Sequence, residues 1–172
     1  MNPDLVFHPV RMRIITAVSG RQLTTRELLK AIPEIPQATL YRHVRALIKG
    51  GVLEVVEERK IRGVEERIFR MKAPPSVTRR DLLGKTNAEL EQMGMVFVSG
   101  LLSDIRRYLH GKKKADPFRD GVQLNKVTLL LDDAELARLN GEVMRLILAA
   151  VEKKPAAGRK GRIFSYTIIP SE

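Results

Sequence analysis

Residues 32–51 leave the chain few ways to fold. Pro33 and Pro36 interrupt any regular element that reaches them, because each lacks a backbone donor and fixes φ. Beyond Pro36 the apolar residues Leu40, Val44, Leu47 and Ile48 recur at helical spacing, and Gly50-Gly51 ends the run. Just upstream, Thr24-x-x-Glu27 has the form of a capping box, which predicts a short helix from Thr25 to Ala31. The tight Ile32-Pro33-Glu34-Ile35 turn then joins two helices. Pro9 opens an earlier helix whose inner face is Val10, Ile14, Ala17 and Val18. After the paired glycines, residues 52–57 and 65–71 are rich in β-branched side chains and flank Arg59-Lys60-Ile61-Arg62-Gly63, which reads as a basic hairpin tip. Three helices followed by a hairpin predict a winged helix-turn-helix.

That geometry sorts the residues of the third helix. With Leu40, Val44 and Leu47 turned inward, the outward set is Gln37, Ala38, Thr39, Tyr41, Arg42, Arg45 and Lys49. It is rich in donors and free of acids. Gln37 and Arg42 are the candidates for reading base edges, since Gln pairs with adenine and Arg with guanine. Thr39, Tyr41 and Arg45 suit phosphate contacts, which position a protein without specifying sequence. Arg42 and Arg45 taken alone would equally describe a solvated helix face; the helix order and the hairpin favour DNA. Two readings stand for the wing residues Arg59, Lys60 and Arg62. They reach the minor groove or backbone, or they pair with Glu57, Glu58, Glu65 and Glu66 on the surface. His43 is read as a packed or phosphate-bound imidazole.

The segments His8-Pro9-Val10-Arg11, Leu23-Thr24 through Glu27-Leu28-Leu29, IPQATLYRHVRAL over 35–47, GGVLEVV and ERIFRM together resemble an ArsR-like winged-helix transcriptional regulator over residues 8–72. His43-Val44 sits where that family usually carries His-Leu. The resemblance implies a homodimer on an imperfect palindrome. Farther on, the long helix, Asp120-Gly121-Val122 and the terminal strand are similar to members with an extended C-terminal domain. Many relatives sense metals through cysteine; this chain has none.

Ala73-Pro74-Pro75-Ser76 marks a boundary, dividing a DNA-binding domain over 1–73 from a dimerisation and effector domain over 74–172. Thr86-x-x-Glu89 is a second capping box. It opens a helix of about two dozen residues, roughly 35 Å long. Leu90, Met93, Phe97, Leu101 and Ile105 share one face of it, a length of stripe that predicts a second subunit as partner. Residues 122–131 then read as a strand. Asp132 caps an amphipathic helix carrying Leu136, Leu139, Val143, Leu146 and Ile147, and residues 162–169 alternate as a last strand. The expected class is α+β: a winged helix-turn-helix, a long dimerisation helix and a small strand–helix–strand layer.

Charge supports the nucleic-acid reading. Lys plus Arg number 31 against 20 Asp plus Glu, a formal net charge of +11. Residues 1–75 hold 14 basic and 8 acidic side chains, more than half the surplus. Such an excess points to a polyanionic partner. Double-stranded DNA is preferred, because aromatics are only 5% and Trp is absent, a poor basis for stacking single strands. The alternative is a winged-helix module for RNA or a protein partner.

No phosphate loop, His-Glu-x-x-His or Gly-x-Ser-x-Gly elbow occurs, so no catalytic residue, cofactor or metal site is expected. Asp132-Asp133 is explained by helix capping. Met93, Met95, Phe97 and Met144 are read as core, with an unidentified small-molecule effector as the lesser alternative. No apolar run approaches the ~20 residues of a membrane span, and residues 1–10 do not look like a signal peptide, so a cytoplasmic regulator, and among regulators a repressor, is the expectation.

Overall fold

The computed structural model describes residues 2–61, 64–72, 77–111, 114–153 and 156–171; the side chains of residues 60, 61, 64, 65 and 79 also lie outside that description. The elements run α1 (Pro3–Val6), α2 (Pro9–Val18), β1 (Leu23–Thr24), α3 (Thr25–Ala31), α4 (Gln37–Lys49), β2 (Leu53–Ile61), β3 (Val64–Met71), α5 (Arg79–Leu82), α6 (Asn87–Leu109) and α7 (Asp133–Val151). By internal contact the chain forms two units. One comprises residues 1–100 with 153–161, the other 101–152 with 162–172.

Local signals explain where the first unit's elements begin and end. His8 caps α2, its Nδ1 accepting the Val10 amide at 3.2 Å, and Pro9 fills the first turn, where its missing donor costs nothing. The Thr24–Glu27 box is complete: the hydroxyl accepts the Glu27 amide at 3.1 Å and the carboxylate accepts the Thr24 amide at 2.8 Å. Pro36 is the N-cap of α4. At the other end Gly50 is the C-cap and Gly51 takes φ +72°, a left-handed conformation that only glycine adopts cheaply. Gly50 answers a different need, because a Cβ there would come within 2.0 Å of Leu5 Cδ2.

One core holds these elements. Ile14 and Val18 of α2, Leu28 of α3, and Leu40, Val44 and Leu47 of α4 are buried together with Val52, Leu53 and Phe69 of the sheet end. Each fully buried side chain of this size contributes ~1.5–3 kcal/mol. The turn between α3 and α4 is anchored by buried Ile32 and Ile35 and closed by the Ile35 N–H donating to the Ile32 carbonyl at 3.1 Å. The sheet is antiparallel in the order β1-β3-β2, with Leu23 opposite Phe69 and Leu53 opposite Met71. A register shift between Val55 and Glu57 marks a bulge that re-aims the outer half of the hairpin.

In the second unit α7 is capped as expected. Asp132 accepts the Glu135 amide at 2.8 Å and Glu135 accepts the Asp132 amide at 3.0 Å. The α+β class stands, but the C-terminal strand–helix–strand layer requires correction. Residues 122–131 and 162–169 are in no ladder among the described residues. Alternation marks which side of a strand is apolar, whereas a ladder needs a neighbouring strand in register, and neither run has one among the described residues. Tyr166 lies along α7, its hydroxyl 3.4 Å from Asn140 Oδ1 and 3.3 Å from Met144 Sδ.

Candidate nucleic-acid interface

The apolar stripe of α4 fixes the face that this helix shows to solvent. Leu40, Val44 and Leu47 are fully buried or nearly so, which turns Gln37, Ala38, Tyr41, Arg42, Arg45 and Lys49 outward; Thr39 is half-buried. The first turn carries no acid and no side-chain cap, so the amide end of the helix dipole faces water.

Charge pairing distinguishes this face from part of its surroundings. On the flanks, three cations are neutralised by the chain itself: Arg13 by Glu34, Arg67 by Glu58 at 3.0 Å, and Arg70 by Glu54. Among the described residues Arg42, Arg45 and Lys49 have no such acid. Their charge is free to meet an outside anion.

The wing behaves differently. Arg59 is held by Glu57, with one of its two hydrogen bonds at 2.7 Å, and that carboxylate raises the guanidinium's pKa while its own is lowered by Arg59. Arg59 therefore starts from an existing partner, as the surface-pairing alternative expects. Arg62 and the Lys60 side chain lie outside the described residues.

Behind the helix sits a pair that spacing did not reveal. His43, buried on α4, packs against His8 with ring centroids 4.5 Å apart and planes tilted by 43°. Burial lowers both pKa values, and the Arg11 and Arg42 guanidiniums lower them further; His8 adds to the effect on His43. Arg11 is itself committed to the backbone, donating to the Leu5 carbonyl at 2.6 Å and the Asp4 carbonyl at 2.5 Å. Two rings that burial biases toward their neutral forms thus join the start of α2 to the middle of α4. The signal available beforehand was only the choice of His at a helix N-cap and on an inward position of α4.

The residues expected to dimerise are distributed unevenly. Met93 is buried within its own unit, Phe97, Leu101 and Ile105 are half-buried, and Leu90 is exposed. Beside them runs a second apolar line, Met95, Val98 and Leu102, all exposed. Its members sit at helical spacing too, but a single-face reading of α6 passes over them. Lys85 fastens the start of α6 to α1, with Asp4 and Glu89 each at 3.0 Å. The Thr86 amide, then Lys85 and the Thr86 hydroxyl, hold the Glu89 pKa down to about 2.

Of the methionines weighed as pocket walls, Met93 borders a cavity of about 250 Å³ with Asp4, Phe7, His8, Arg11, Glu89 and Gln92, while Met95 is exposed. That volume falls just short of the ~300–1,000 Å³ usual for ligand pockets. Among the described residues no three His, Asp or Glu are grouped for a metal ion, and no helix is long and apolar enough to cross a membrane.

Comparison with known proteins bears on the same segment. No curated protein matches the chain. A solved structure from M. tuberculosis, that of Rv0081, is similar at 24% identity over 59% of this chain and 86% of that one, with a TM-score of 0.35. A family model described as a helix-turn-helix domain matches residues 7–56, from the residue before the N-cap of α2 through α3, the turn and α4 into β2. Residues 7–56 are accordingly a helix-turn-helix domain, the kind of unit through which regulators bind DNA.

Proposed function

We propose that this protein is an ArsR-like, sequence-specific regulator of transcription that binds double-stranded DNA as a homodimer on an imperfect palindrome and represses by covering a promoter. The observation that carries the reading is the unpaired basic face of α4, Arg42, Arg45 and Lys49 beside Gln37 and Tyr41, on a helix whose other side is locked into the core. Residues 1–73 serve DNA and residues 74–172 serve dimerisation, with the α6 stripe of Leu90, Met93, Phe97, Leu101 and Ile105 as part of the contact. Arg42 and Gln37 read bases; Ala38, Thr39, Tyr41, Arg45 and Lys49 lie along the backbone and groove wall. The wing, through Arg59, Lys60 and Arg62, adds a smaller contact, because a phosphate must first displace Glu57 from Arg59. Any small-molecule effector would act by favouring one separation of the two recognition helices.

Selection of bound sites from random duplex DNA with the purified full chain tests this reading. The expected result is an enriched motif of two inverted half-sites about 10 base pairs apart, one helical turn. Recovery of no motif, or preference for single strands, would contradict it.

A further inference from the structure

The second unit has an unfilled requirement. No described residue from 101 onward is buried, although both runs that flank α7 are patterned as strands. Leu130 is 93% exposed, Leu124 and Ile169 each 78%, and Phe164 68%. Together the apolar residues of 122–131 and 162–169 expose on the order of 1,000 Å², more than the ~800 Å² that each partner buries in a standard interface. The backbone is equally unsatisfied. Among the described residues no amide or carbonyl of 123–131 or 162–169 makes a backbone hydrogen bond. Apolar, unpaired segments with a strand pattern are templates for another strand.

We infer that residues 122–131 and 162–169 pair with the same segments of a second copy of this chain, building one inter-subunit sheet against which α7 of each copy packs. This rests on the homodimer reading and says where that dimer is closed. Three observations select a second copy as the occupant. The exposed area covers the ~800 Å² per partner of a standard interface. Each run carries one charge, Lys126 and Arg162, and no acid, so neither offers a charge pattern for a foreign partner. Tyr166 already rests on Asn140 and Met144 of α7, which sets one face of the 162–169 run on its helix and leaves its edges open for ladder bonds. A two-fold arrangement then satisfies both copies at once.

Proline substitution tests the ladder directly, since proline removes a strand donor yet is harmless in an unpaired extended segment. Light scattering on the full chain at micromolar concentration should give twice the 19.4 kDa chain mass. Thr128→Pro and Thr167→Pro should each weaken dimerisation at least tenfold, while slow amide exchange in α4 shows that the first unit stays folded. In the wild type, amides of 122–131 and 162–169 should exchange slowly and lose protection on dilution. A wild-type dimer that both proline variants leave intact would overturn the inter-subunit sheet and spare the homodimer. Fast exchange in these segments at every concentration would do the same. A monomeric wild type would overturn both.

Discussion

The first and second units carry equally regular hydrophobic patterns and come to different ends. In the first, α2, α3, α4 and the sheet end each bury an apolar face against the others, and fifteen side chains form one core cluster. In the second, α7 has the full capping box that α4 lacks and is itself amphipathic, yet none of its residues is buried. Periodicity assigns faces; a core forms only when enough faces meet. Four elements within one chain satisfy that condition around Leu40, and one helix between two unladdered runs does not.

The contrast is easiest to break with paired truncations. Leu40→Ala should cost the first unit ~2–5 kcal/mol, the range for a leucine deleted from a packed core, read by denaturant unfolding. Leu130→Ala in dilute protein should change stability by less than ~0.5 kcal/mol, as for an exposed site. Equal losses would mean that the second unit has a core of its own. Next in size are the capping boxes. Thr24→Ala should destabilise global unfolding by ~1 kcal/mol, because α3 is held in the core. Asp132→Ala should lower the helix signal of α7 without moving that transition.

A smaller effect separates the units by pH. His8 and His43 both bind protons less readily in the folded chain than at their ordinary value of 6.5. Stability from this pair is therefore complete above about pH 6.5 and declines as pH falls below it, where the unfolded chain takes up protons that the folded chain refuses. The melting temperature of the first unit should drop between pH 7 and pH 5, and His43→Gln should flatten the slope. A melting temperature that rises on acidification would reverse the assigned sign.

What could be read in the residues alone follows the range of the interactions. Thr24–Glu27, Thr86–Glu89 and Asp132–Glu135 act over three positions, and Gly51 acts on its own backbone angle, so helix ends were legible to within a residue or two. The two residues of β1 carry no periodicity, and only Phe69 and Ile68 across the sheet make them a strand. The bulge at Val55 and Glu57 depends on how β2 meets β3, and the His8–His43 contact spans most of the helical region. The outward set of α4 was readable because one helix determines it. The state of Arg59 was not, because Glu57 is one of four nearby acids and only the hairpin geometry chooses among them. The second apolar line of α6 shows a further limit, for a stripe wider than one face has no single inward direction.

The central claim is that the exposed side of α4 reads duplex DNA, and two alanine variants test it on one selected site and a scrambled control across a salt series. Arg42→Ala should lose ~1–3 kcal/mol of discrimination at one base position. Arg45→Ala should weaken both duplexes alike and reduce the salt dependence by about one counterion. If both variants bind both duplexes as the wild type does, the recognition surface lies elsewhere on the molecule.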